Sequence, residues 1–298
     1  MKRIFRIIPL LCILLFFSLF IRPSESNSQS RKNFLWRVQS SNATAYILGS
    51  IHLMKPDSYP LSSAIEDAFT KSDTLAVEAD INDLSKLDLQ KLITSAFYAG
   101  GDTVDKHVSG GTFSVITKEA QRIGFTMELV MPQKPWFLGL TFTSYELLRL
   151  GYDPNYGIDK HFLTKAQGKK RIVELETIDY QINLLSGLSD EEQEAFLLYN
   201  LRDLAVLGQE IDRLVKGWKS GNIAAVESIM KKSVADDRRF RSIYEKLVSV
   251  RNRNMAAKVE GYLKTRGTYF VVIGAGHLVG SDGIIHLLKR KGYSVEQL

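Results

Sequence analysis

The strongest constraint in this sequence is a pair of apolar runs near opposite ends of the chain, each ending in the same four-residue pattern. Thr44-Ala45-Tyr46-Ile47-Leu48 runs into Gly49-Ser50-Ile51-His52, and Tyr269-Phe270-Val271-Val272-Ile273 runs into Gly274-Ala275-Gly276-His277. Short apolar runs rich in β-branched and aromatic residues read as strands buried in a sheet. Glycine then permits a tight bend, and the imidazole is presented at the sheet's edge. A third candidate strand, Thr74-Leu75-Ala76-Val77, delivers Glu78 in the same way. Gly283-Ile284-Ile285-His286 has the same spacing inside a helical pattern, so the spacing alone is weak. The strand before it is what gives the two outer copies their weight.

The remaining pattern places these strands in one fold. Phe34 to Val38 and Thr44 to Leu48 form a hairpin across the turn residues Ser40-Ser41-Asn42. Leu61 to Lys71 is helical, with Ile65, Ala68 and Phe69 on one face. Helices are expected near 84–98, 111–123, 134–150, 156–167, 178–186, 189–215, 222–232 and 236–265, interrupted by a short strand from Arg171 to Leu175. Ser189 caps one of them, with acidic residues in its first turn. Asp282 is expected to cap a helix through Lys291, and Gly292 to Val295 turns into a last strand. The expectation is an α/β fold: a mixed β-sheet formed by the N- and C-terminal ends, with a large helical insertion over about 84–265, in a single domain spanning 33–298.

The N-terminus stands apart. Lys2, Arg3 and Arg6 precede an apolar run from Ile7 to Ile21, and a polar stretch follows from Pro23. This is the pattern of a secretory signal peptide over residues 1–26, cleaved near Ser26. The run is short for a spanning helix, which wants about 20 apolar residues, and an uncleaved anchor is the alternative. The chain is therefore read as exported, periplasmic or secreted, touching a membrane only through this leader. Its one cysteine, Cys12, lies inside the run, which leaves the rest without a thiol for disulfides, metal binding or nucleophilic catalysis. Of the formal net charge of +6, the leader holds +3: Lys2, Arg3, Arg6 and Arg22 against Glu25. The +3 that remains is too weak to argue for nucleic acid, and Lys169-Lys170-Arg171 and Arg238-Arg239-Phe240-Arg241 read as solvated surface.

Open α/β sheets bind ligands outside the carboxyl ends of their strands, so His52, Glu78 and His277 are the residues expected to converge. At this level the sequence resembles a known family. Leu48-Gly49-Ser50-Ile51-His52, Val77-Glu78-Ala79-Asp80, Lys134-Pro135-Trp136, Gly157-Ile158-Asp159-Lys160-His161-Phe162, Leu175-Glu176-Thr177, Arg251-Asn252-x-x-Met255-Ala256 and Gly274-Ala275-Gly276-His277 occur in the order of the TraB/PrgY/GumN family, which includes the Tiki proteases. The resemblance covers roughly 34–298, and the order of the pieces is what makes it specific. It implies a core related to the erythromycin-esterase and ChaN-like proteins, with metal-dependent peptidase activity in the Tiki branch. Its functional positions fall here on His52, His277, Glu78 and Arg251.

On that basis His52, His277 and Glu78 are expected to bind one divalent metal, zinc, manganese or cobalt. Glu78 and Arg251 are the expected catalytic groups, with Arg251 holding a substrate carboxylate or a developing oxyanion. A metal-free route uses one histidine as general base, oriented by Glu78. The leading function is a metal-dependent, peptidase-like hydrolase acting on a peptide or small-molecule substrate. The alternatives are a non-catalytic protein that sequesters a peptide or haem, and an envelope scaffold in which the histidines do nothing. Each residue also has a plainer reading. Glu78 caps a helix or pairs with a buried base, Arg251 lies with Arg253 on a solvated face, and Asp80 caps a loop or supports the site. Asp159 caps the helix that carries His161, Trp136 packs in the core, and His107 and His286 are structural.

Overall fold

The computed structural model describes residues 32–298 except 84, 86, 203, 236 and 237. The leader of residues 1–26, with Cys12, lies outside the described residues. Strands β1 (Leu35–Gln39) and β2 (Ala43–Ser50) form the expected hairpin. Its turn is closed by Ser40, whose hydroxyl accepts from the backbone N–H groups of Asn42 at 3.1 Å and Ala43 at 3.0 Å. Strands β3 (Thr74–Val77), β4 (Arg171–Glu174), β5 (Gly267–Gly274) and β6 (Ser294–Gln297) complete one six-stranded sheet in the order β4-β3-β5-β2-β1-β6. β4, β3, β5 and β2 run parallel, and β1 is antiparallel to both of its neighbours.

The parallel part explains the apolar runs. β3 is buried at every position, and β5 is buried from Tyr269 to Gly274, because helices cover the faces of parallel strands. β5 lies between β3 and β2, and its register sets Ser50 opposite Gly274 and Val77 opposite Val272. The segments that end in His52, Glu78 and His277 therefore leave the sheet at one edge.

The sheet is not made by the two chain ends alone. The central stretch contributes β4, paired with β3 from Arg171 to Glu174. Helices fill the rest of that stretch. The helix Pro135–Arg149 starts with proline, where the missing N–H costs no hydrogen bond, and it is buried almost all round. Trp136 is core, as expected, and its Nε1–H donates to the Ser95 carbonyl at 3.0 Å. At Ser189 a reciprocal cap forms: its hydroxyl accepts from Glu192 N–H, and its own N–H donates to the Glu192 carboxylate.

Several boundaries differ from expectation, among them the helix expected over 84–98, which is Leu89–Ala96. The single helix expected over 189–215 is two, Asp190–Arg202 and Leu207–Lys219. The helix expected over 236–265 is interrupted by a π-helical turn, Glu245–Ser249, before Val250–Leu263. The helix after His277 begins at Ile284 with Gly283 as its cap, because the Asp282 carboxylate is turned instead toward Ser249, whose hydroxyl donates to it at 2.6 Å. Among the described residues no helix is long and apolar enough to cross a membrane.

Gly157 shows how tightly the helices seat on this edge. A Cβ there would lie 2.2 Å from the carbonyl oxygen of His52, a backbone atom that cannot rotate away. Gly157→Ala is expected to destabilise the protein by about 1–3 kcal/mol through overpacking. Urea denaturation checks this, and an unchanged midpoint would mean that the two segments move apart freely.

Candidate active site

The carboxyl ends of all four parallel strands carry the site. β2 leads to His52, β3 to Glu78, β5 to His277 and β4 to Glu176. The Glu176 N–H donates to the Glu78 carbonyl at 2.7 Å, which extends the β3–β4 pairing one step beyond the strands. Three of these side chains face one point. A methyl group added at Gly274 would lie 3.1 Å from Glu78 Oε1, 3.4 Å from His52 Nε2 and 3.5 Å from His277 Cδ2. The expected convergence of His52, Glu78 and His277 is present in the fold.

Each imidazole is held through Nδ1 by a different partner. His52 Nδ1 lies 2.6 Å from Asp159 Oδ2, and the Ser50 hydroxyl donates to the other oxygen, Oδ1, at 3.0 Å. Asp159 is therefore not the cap of its helix. Gly157 holds that position, and the Asp159 carboxylate is turned into the site. His277 Nδ1 lies 2.7 Å from Asn252 Oδ1, and the Asn252 amide N–H donates to the Asp282 carbonyl at 3.0 Å.

Glu78 is the most constrained carboxylate. Gly274 N–H donates to its Oε1 at 2.6 Å and Arg251 Nη2 to its Oε2 at 2.7 Å, with Gln181 Nε2 at 3.4 Å. Arg251 is not on a solvated face. It is 8% exposed, its Nε and Nη2 donate to Glu176, and its Nη1 donates to the Leu247 carbonyl at 3.2 Å. That carbonyl belongs to the π-helical turn, an irregularity often found beside functional sites. Arg251 thus acts as counter-ion to two buried carboxylates, and Nε and Nη2 are spent on them.

Burial alone would raise the Glu78 carboxyl, but the neighbouring His277, Arg251 and His52, together with the Gly274 N–H, hold it down to about 2. Burial lowers His277 to about 3, aided by the nearby Arg251 charge and only partly offset by Glu78. Burial also pulls on His52, but the charge and hydrogen bond of Asp159, with Glu78, raise it overall. The two histidines differ because one leans on a carboxylate and the other on a neutral amide.

Buried together are the carboxylates of Glu78, Glu176 and Asp159 against the single guanidinium of Arg251, a formal charge of −2. Among the described residues, however, no three His, Cys, Asp or Glu side chains are gathered as a metal site requires. Glu78 directs its oxygens to Arg251 and Gly274, and the imidazoles direct Nδ1 to Asp159 and Asn252.

The other candidates lie elsewhere. Asp80 caps its loop, accepting from Asn82 N–H at 3.0 Å. His161 packs at a tilt against the Tyr59 ring and lies 3.5 Å from Glu66. His107 stacks on Tyr98 and bonds Asp102 at 2.7 Å, and His286 is exposed on its helix. Sequence reasoning passed over Asp159, Glu176 and Asn252 as site residues. Their only signal was their place inside the shared motifs Gly157-Ile158-Asp159, Leu175-Glu176-Thr177 and Arg251-Asn252. Beside the site, Met230, Tyr244, Ser249, Val279 and Asp282 help to line a cavity of about 700 Å³.

Comparison with known proteins gives the family of the chain. A profile of the TraB/PrgY/gumN family matches residues 34–297. The chain belongs to that family. Among its relatives are the YbaP proteins of Shigella flexneri and Escherichia coli, each 24% identical over 249 residues, covering 83% of this chain and 89% of theirs. A metalloprotease TIKI homolog of Amphimedon queenslandica is 30% identical over 125 residues, which is 41% of this chain and 24% of that protein. No solved structure matches the chain.

Two outcomes follow from this chemistry. Arg251→Met leaves two buried carboxylates without their counter-charge, and is expected to cost about 3–5 kcal/mol. Adding Glu176→Gln should recover part of the loss, and equal stability of single and double variants in a denaturant series would contradict the coupling. In metal-free protein, a His277 pKa below its unfolded value of 6.5 means that stability is full above pH 6.5 and declines as pH falls toward 3. The decline is up to about 1.4 kcal/mol per pH unit. Glu78 adds a further loss between pH 4.5 and about 2. His52, raised instead, opposes this by losing its contribution as pH rises above 6.5. His277→Gln should flatten the 3–6.5 limb of a stability–pH curve.

Proposed function

We propose that this protein is an exported, metal-dependent hydrolase with peptidase-like substrates. One observation carries the reading: His52, Glu78 and His277, delivered by three neighbouring parallel strands, face a single point beside Gly274. The name of the TIKI relative supports the substrate class, and the apolar run of residues 7–21 supports export to the periplasm or beyond. A core of the erythromycin-esterase or ChaN-like kind is part of the same proposal.

By donor type, though not by their present spacing, these residues suit zinc, manganese or cobalt. The site offers the His52 Nε2 atom, the neighbouring ring edge of His277, an adjacent carboxylate and a buried formal charge of −2 that a divalent cation would neutralise. His52, His277 and Glu78 would hold the ion, which when bound supplies Lewis acidity toward a carbonyl and toward water. The protein's own groups do the rest. Arg251 keeps Glu78 anionic, Asp159 orients His52 and favours its taking up a proton, and the adjoining cavity is of a size that takes a short peptide.

A second reading needs no metal and is favoured by the 2.6 Å contact between His52 and Asp159. His52 is then the general base, and Asp159 orients it in place of Glu78. Metal content, measured on protein purified without chelator or immobilised metal, decides between them. Near-stoichiometric metal, lost in His52→Ala/His277→Ala together with cleavage of a fluorogenic peptide library, is the expected result. Chelator-resistant cleavage would establish the metal-free route. Absence of both metal and cleavage, even with added manganese, cobalt or zinc, would remove the hydrolase reading in favour of a binding protein.

A further inference from the structure

We infer that Asp159 and Asn252 are positioning residues that lock His52 and His277 in the Nδ1–H tautomer, leaving Nε2 of both rings without a proton. The argument is one of hydrogen-bond accounting. The Asn252 amide group must present its NH2 to the Asp282 carbonyl, which only accepts, so Oδ1 faces His277. An amide oxygen also only accepts, so the shared proton belongs to His277 Nδ1. On the other ring, the Ser50 hydroxyl occupies Asp159 Oδ1 and leaves Oδ2 for His52, where a carboxylate again requires the proton on Nδ1.

Both supports are anchored beyond the pair itself. Asp159 is 6% exposed and fixed by Ser50, the residue opposite Gly274 in the β2–β5 register. Asn252 is fully buried, and the Asp282 side chain beyond it accepts from Ser249 at the end of the π-helical turn. The residue before Asn252, Arg251, bonds Glu78, so one helix start orients a group after β3 and a group after β5. The two supports differ in charge. The carboxylate strengthens His52 as a base, whereas the amide orients His277 without adding charge. The use of the bare Nε2 atoms as ligands rests on the metal-dependent reading. The tautomers themselves do not.

The test is long-range 1H–15N correlation of the imidazoles in metal-free protein, with His52 and His277 assigned by His→Gln variants. Protonated Nδ1 and bare Nε2 on both rings is the expected result, and a proton on Nε2 of either ring in the wild type overturns the proposal for that ring whether or not the Asp159 and Asn252 variants fold. Asp159→Ala should release the His52 tautomer. Asp159→Asn should retain it, because the amide oxygen still accepts while Ser50 accepts from the amide N–H. Asn252→Leu should release His277 alone. Cobalt(II) titration by calorimetry should then give affinities about 10–100-fold weaker for Asp159→Ala and Asn252→Leu. Unchanged tautomers in both variants would reduce the two residues to packing. Released tautomers with no cobalt binding in the wild type would preserve the positioning role and remove the metal reading.

Discussion

Everything in the site depends on the parallel pairing of β2 with β5. It joins residues 43–50 to residues 267–274, the longest sequence separation among the parallel pairs of the sheet. A parallel pair needs a crossover, and here nearly the whole remaining chain is that crossover. The register sets Ser50 opposite Gly274, so the two Gly-x-x-His segments leave the sheet side by side. A slip of one residue would turn every buried side chain of β5 to the other face, so the core and the site share one register. β3 then pairs on the far side of β5 and places Glu78 against Gly274.

A second constraint is electrostatic. Glu78 and Glu176 are buried beside each other, and Arg251 is the group that makes this tolerable. An isolated buried carboxylate is too costly to keep charged, so the fold must bring the helix Val250–Leu263 onto the strand ends before either glutamate can ionise there. The π-helical turn before that helix places a carbonyl, that of Leu247, under the guanidinium. The residues that allow the chain to close are therefore the residues that set the charge of the site. This is why Arg251 belongs to the fold and to the proposed site at once.

Most strands of the sheet were legible because their cause is local. A run such as Tyr269 to Ile273 has only one comfortable environment, a sheet covered on both faces, and Gly274 after it permits the close approach of Glu78 and His52. Caps at Ser189 and Pro135 were legible for the same reason, since a cap is decided by a few adjacent residues. The π-helical turn and the break after Arg202 were not, because apolar periodicity continues through both and only packing chooses where a helix yields.

By itself, then, the sequence determined the element types, the α/β class and the three residues His52, Glu78 and His277, because strand patterning and glycine placement act over a few residues. Tertiary structure alone decided their partners. Asp159, Asn252 and Glu176 sit on a helix start, in a basic helix and beyond an edge strand, and nothing in their neighbours along the chain marks where their side chains point. Asp159 reads as a helix cap until His52, 107 residues away, offers it an Nδ1–H at 2.6 Å. Hydrogen bonds and charge pairs form between groups brought together in space, and a one-dimensional pattern carries no record of that distance.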